Sequence, residues 1–125
     1  MTRYVLTLDL KDDPAAIAAY REYHRRVWPE VIDSLRHAGI VTMDIYLLER
    51  RAVMILLTDG RDPASCFAIH RAAGPRVSEW EALMQSLQQP PAGGQPGEWW
   101  AQMEPIFSLE AETDASVASE RAGRA

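Results

Sequence analysis

Apolar and polar positions alternate at the start of the chain. Tyr4, Leu6, Leu8 and Leu10 are interleaved with Val5, Thr7 and Asp9, the two-residue period of a half-buried strand. Asp12-Asp13-Pro14 follows and predicts a helix with Asp13 as N-cap and Pro14 at its first position. Ile17, Tyr20 and His24 then recur at helical spacing. Pro29 disfavours helical backbone at Trp28, so the segment should divide, with a second short helix from about Pro29 to Ala38 and a stop at Gly39. Val41 to Leu48 and Ala52 to Thr58 read as two strands joined by a tight turn around Glu49-Arg50-Arg51. Both strands are apolar on each face, which predicts a central hairpin covered on both sides. Asp62-Pro63 opens another helical stretch that Gly74-Pro75 interrupts. Val77, Trp80 and Met84, with Leu83 and Leu87 beside them, mark the next helix. Pro90 to Gly97 is rich in Pro and Gly and is expected as a loop. Met103, Pro105, Phe107 and Leu109 alternate with polar residues as a last strand, with Pro105 best placed at an edge or bulge.

The resulting order is strand, helix, strand, strand, helix, strand. That is an α+β, ferredoxin-like split βαββαβ pattern, in which helices cover one face of an antiparallel sheet. The apolar hairpin requires a cover on the other face, and a homodimer burying the two sheets against each other is the simplest one. Residues 1–110 are expected to form a single domain. Ala111 to Ala125 is small, polar and aperiodic, as in a disordered tail.

Composition narrows the partners. The 125 residues are 47% hydrophobic and 25% charged, ordinary for a soluble globular domain. A net charge of −5 argues against a general nucleic-acid binder, and Lys11 is the only lysine. The lone cysteine, Cys66, excludes an intramolecular disulfide framework and a multi-cysteine metal site. The N-terminus lacks a continuous apolar core of the signal-peptide kind, and no apolar run approaches the roughly 20 residues that span a bilayer. A cytoplasmic protein with no membrane partner is the expectation.

The chemistry concentrates between Tyr20 and Glu30. Tyr20 and His24 stand four residues apart, on one face of a helix, with Trp28 four residues further on. A hydroxyl, a group that titrates near neutrality and a flat ring suit a small polar ring such as a sugar. His24 has both protonation states within reach of cellular pH, so proton transfer is its natural role if it is functional. His24, His37 and His70 lack metal-ligand spacing, and neither a metal nor a cofactor is expected. Spacing alone leaves other roles open: His24 as a satisfied surface histidine, Tyr20 as core, and Trp80 as part of the apolar stripe with Val77 and Met84. Of Trp99 and Trp100, one is expected to cap a pocket while the other staples the loop.

His24, Trp28, Pro29 and Glu30, preceded by Tyr20, form a Y-x3-H-x3-W-P-E pattern. Downstream come Ile45-Tyr46-Leu47, Trp80 with Met84, and a final Ile-Phe-Ser-Leu. Together these resemble the L-rhamnose mutarotase family, whose members interconvert the anomers of 6-deoxy sugars. The resemblance runs from about Arg3 to Leu109. It implies a dimeric α/β barrel of ferredoxin-like subunits, with His24 as the proton donor and Tyr20 as a sugar ligand. Beside it, the flat rings of Trp28, Trp80 and Trp100 are expected from the residues themselves as further substrate-binding surfaces. The rhamnose enzymes carry a tyrosine where this chain has Met43, and a second tryptophan where it has Glu81. Leu8 to Pro14, Trp80 to Met84 and Gln88 to Glu98 look like the branch assigned to L-fucose. L-Fucose is therefore the expected substrate and L-rhamnose the alternative, by cofactor-free ring opening and closure. A further alternative is a non-mutarotase dimeric α/β-barrel protein, such as a cofactorless monooxygenase or a ligand-binding module. The partner base stays open, with Glu30 and Asp44 both possible.

Overall fold

The computed structural model describes residues 1–90 and 98–110. The expected loop from Pro90 to Gly97 lies outside the described residues apart from Pro90, and so does the expected tail from 111 to 125. The first strand, β1 (Thr2–Leu10), leads into α1 (Pro14–Tyr23). Asp13 caps that helix as expected: its carboxylate accepts the Ala15 N–H at 3.0 Å, and Pro14 occupies the first turn. The break at Pro29 is present too. Trp28 is extended (φ −60°, ψ 137°) and α2 (Pro29–His37) starts immediately after it.

Gly39 ends this helical pair with φ +95° and turns the chain into β2 (Ile40–Leu48). A Cβ on Gly39 would lie 2.6 Å from the Arg61 guanidinium and 2.7 Å from the Asp59 carboxylate. Gly39→Ala is therefore expected to cost about 1–2 kcal/mol from backbone conformation alone. A urea-unfolding midpoint equal to that of the unmodified chain would show that the turn relaxes freely.

A two-residue turn joins β2 to β3 (Arg51–Thr58), with Leu48 opposite Arg51 and Glu49 in the left-handed region at φ 53°. The chain continues through α3 (Pro63–Arg71), capped by Asp62, and α4 (Pro75–Leu87), which begins after Gly74. Two short edge segments complete the sheet, β4 (Gln88–Gln89) and β5 (Ala101–Gln102). The sheet order is β2-β3-β1-β4, with β5 also paired to β1 and every pairing antiparallel. This is the ferredoxin-like α+β plan.

The pleat assigns the two faces. Leu6, Leu8 and Leu10 of β1, with Ala52, Met54 and Leu56 of β3, are buried beneath the helices. Val5, Val53, Ile55 and Leu57 point the other way and are only half-buried. The central hairpin predicted from the apolar faces of its strands is corrected for one of them. Strand β3 is central, but β2 is an edge strand with Tyr46 61% and Leu48 76% exposed.

The last strand is also corrected. Pairing stops at Gln102, and only the Met103 N–H continues the ladder, to the Val5 carbonyl at 2.7 Å. Pro105 has no N–H to extend it, and Ile106, Phe107 and Leu109 are exposed. The β1 edge is instead shared by two pieces. Leu10 faces Gln88 and Thr7 faces Ala101, so three steps along β1 answer to thirteen along its neighbour. Trp99 and Trp100, just before β5, lie beside the space under the helices.

Candidate active site

The site is built from the end of α1, the length of α4 and the helix-facing side of the sheet. A cavity of about 430 Å³ opens between them, within the range of small-molecule pockets. Tyr20, His24, Trp80 and Trp100 all line it. A more open groove along β2 also touches Tyr20 and His24.

His24 is the C-cap of α1, one residue past its last helical turn. Its backbone N–H reaches the Tyr20 carbonyl at 3.3 Å, and its Nδ1 lies 2.7 Å from the same oxygen. A carbonyl only accepts, so this contact assigns the hydrogen to Nδ1. In the neutral ring Nε2 then keeps its lone pair. The imidazole lies 4.3 Å from the Tyr20 ring and 5.7 Å, edge-on, from Trp80. Burial lowers its pKa below the usual 6.5, partly offset by the bond to the Tyr20 carbonyl. The ring therefore favours its neutral, proton-accepting form.

Tyr20 is buried, only 3% exposed. Burial is the main cause that pushes its phenol up to about 12; the nearby Glu81 charge adds to this, and a long (3.5 Å) hydrogen bond from Gln88 Nε2 opposes it. The phenol stays protonated at neutral pH. With its oxygen accepting from Gln88, its own hydrogen can be donated to a ligand.

Trp80 is 5% exposed and sits where the aromatic residues meet. Tyr23 lies edge-on to it at 6.2 Å and Trp28 at 5.1 Å. Trp28 itself does not line the cavity. The Arg76 guanidinium lies 3.5 Å above the centre of its ring and also meets Glu30 at 3.5 Å and Glu79 at 3.0 Å. The Trp-Pro-Glu part of the motif thus docks the start of α2 onto the start of α4, and Trp28 backs Trp80 rather than facing the open space. Trp99 and Trp100 both line the cavity, and Trp100 also packs against the buried core.

Neither carboxylate left open as partner base joins this group. Glu30 is held by Arg76, and Asp44 alternates with Met43 and Ile45 and so turns away from the cavity they line, reaching only the more open groove. Sequence reading missed a different carboxylate. Glu81 lines the cavity with Gln85 and Gln88, and its Oε1 lies 3.0 Å from Nε2 of His70. The spacing of Glu81, Gln85 and Gln88 is a polar line one helical turn apart, and it was legible in the sequence. His70 was not, because it belongs to another helix.

The lining also includes a set of apolar side chains, among them Val27, Val31, Leu35, Met43 and Ile45. No group of three or more potential metal ligands occurs among the described residues. No helix among them is long and apolar enough to cross a membrane.

The family model described as L-rhamnose mutarotase matches residues 3–109. An L-fucose mutarotase of Xanthomonas campestris pv. campestris is 45% identical over 112 residues, covering 87% of this chain and 89% of that protein. An L-rhamnose mutarotase of Burkholderia orbicola is 33% identical over 91 residues, covering 73% of this chain and 84% of its own length. Among solved structures, an L-rhamnose mutarotase from Formosa agariphila superposes with a TM-score of 0.63 at 19% identity, over 87% of this chain and 99% of its own; this is likeness of fold. The sequence matches carry the stronger conclusion: the chain belongs to the L-rhamnose mutarotase family.

Proposed function

We propose that this protein is a cofactor-independent mutarotase that interconverts the α and β anomers of L-fucose. One observation carries the chemistry: His24, its Nδ1 committed to a main-chain carbonyl, lines a cavity also lined by the Tyr20 phenol and Trp80. The L-fucose enzyme of Xanthomonas, at 45% identity, supports the choice of sugar. Met43 and its apolar neighbours offer a surface for a sugar methyl group, while Tyr20, Gln85 and Gln88 offer hydrogen bonds to hydroxyls. Trp80 and Trp100 supply ring faces, and Trp28 supports Trp80 from behind.

In this reading neutral His24 accepts the O1 proton through Nε2. The C1–O5 bond then breaks, O1 becomes the aldehyde oxygen, and the imidazolium gives its proton to O5. Rotation about C1–C2 and the reverse sequence close the ring as the other anomer. The donor role expected from the resemblance is the second half of this exchange. O1 and O5 share one carbon, so a single positioned nitrogen can serve both.

A pH dependence follows from the lowered pKa of His24. The neutral form accumulates as pH rises through a value below 6.5, so exchange should climb with pH there and level off near neutrality. The sign for stability is the same. Between the folded and unfolded pKa values the unfolded chain binds more protons, so stability from this group is lost as pH falls below about 6.5. A profile whose acid limb lies above 6.5 would contradict this environment for His24.

The test of function is anomeric-proton exchange by saturation-difference NMR for L-fucose, L-rhamnose and D-galactose, with and without protein. Fastest enhancement with L-fucose is expected. Faster exchange of L-rhamnose would return the chain to the substrate in the family's description, and no enhancement with any sugar would refute mutarotation.

The same reading takes residues 1–110 as one functional domain in a cytoplasmic homodimer. The half-buried Val5, Val53, Ile55 and Leu57, with exposed Tyr46 and Leu48 beside them, support a second copy as the cover.

A further inference from the structure

His70 is 2% exposed, and both ring nitrogens are engaged. Nδ1 meets Ser34 Oγ at 2.7 Å, and Nε2 meets Glu81 Oε1 at 3.0 Å. A carboxylate accepts, so Nε2 carries hydrogen and donates to Glu81. Three elements are thereby joined: Ser34 of α2, His70 of α3 and Glu81 of α4. The Glu81 side chain keeps 31% exposure and lines the same cavity as Tyr20 and His24. Its charge is felt at Tyr20, whose phenol it helps to keep protonated.

A hydrogen-bonded pair with one partner buried and the other partly exposed adds little to stability, because desolvation offsets its attraction. As a way to hold one carboxylate still, it is effective. The bond to His70 uses one of roughly four acceptor positions on the carboxylate, so acceptor capacity remains for a ligand. Gln85 lies one turn along the same helix and Gln88 just past its end, so this side of the cavity is a polar wall.

Resting on the mutarotase reading, we infer that Glu81 is a substrate-binding residue that accepts hydrogen bonds from ring hydroxyls other than O1, with His70 and Ser34 as its positioning residues. The ligand class is a neutral monosaccharide whose hydroxyls meet a fixed carboxylate and whose apolar parts meet the aliphatic lining. Recognition of this kind discriminates by penalty. A sugar lacking the matching hydroxyl leaves a desolvated acceptor unpaired, which binding sites reject strongly.

Glu81→Gln retains size and one acceptor oxygen but loses the charge. KM for L-fucose should rise about tenfold or more, while kcat stays within about threefold, since hydrogen bonds to charged groups are the strong ones. His70→Asn, which shortens the prop, should raise KM in the same direction by a smaller factor. Deoxy analogues identify the contact. Among 2-, 3- and 4-deoxy-L-fucose, one should be poor for the unmodified protein and no worse for Glu81→Gln. A structural role would shift the melting temperature without creating that pattern. An unchanged KM overturns the inference, as does a loss confined to kcat or an equal loss on every analogue. L-Fucose affinity, titrated on the tryptophan indole resonances, separates the two readings. Binding weakened tenfold by Glu81→Gln in a protein that never accelerates exchange would keep Glu81 and remove the mutarotase. No binding of L-fucose to the unmodified protein would remove both.

Discussion

Replacing His24 with asparagine is expected to slow anomer exchange by at least about 100-fold, because a positioned acid–base group contributes on the order of 10²–10⁴ in rate. That corresponds to about 3 kcal/mol of lost transition-state stabilisation. The basis is geometric: Nδ1 is occupied at 2.7 Å by the Tyr20 carbonyl, so a single nitrogen is left for the substrate. Asparagine can still approach that carbonyl, but it cannot carry a proton back and forth. KM should change less than kcat, because ring hydroxyls are held elsewhere. Exchange at the unmodified rate, with an intact circular-dichroism melt, would remove His24 from the chemistry.

Trp80→Ala is expected to have the largest effect on the fold, about 3–5 kcal/mol, as for other buried aromatic truncations. In a domain of this size that is a fall in melting temperature of more than about 10 °C. Trp80 is 5% exposed and carries the edges of Tyr23, His24 and Trp28, so its loss leaves a void under three rings at once. Activity should fall with it, since the cavity loses one of its ring faces. Trp80→Phe separates the contributions by keeping a ring. A melt lowered by less than 1 kcal/mol in the alanine variant, with exchange abolished, would make Trp80 a ligand surface rather than a structural beam.

Local signals were legible wherever one residue's backbone preference decides the outcome. Asp13-Pro14 started a helix, Pro29 divided one and Gly39 ended one. The pairing of Tyr20 with His24 was also legible, because it follows from helical spacing within a single turn. Non-local facts were not. The glutamines of β4 carry no strand signature and pair only because the end of α4 delivers them to the β1 edge. Apolar alternation after Met103 suggested a strand, yet alternation says nothing of whether a neighbour is present to pair with. The contact of Glu81 with His70 crosses the corner between two helices, where periodicity has no reach. Trp28 shows the converse limit. Its spacing from His24 was as expected, but Arg76, distant in sequence, covers its ring.

The partner that orients His24 is a peptide carbonyl one turn earlier, and no side-chain substitution can delete a peptide carbonyl. Where a carboxylate does this work, one mutation can exchange the tautomer and with it most of the activity. Here the tautomer is inherited from helix geometry. Residues around the imidazole are thus free to diverge, and the cavity can be refitted to other sugars by evolution or by design while its proton-carrying nitrogen stays aimed.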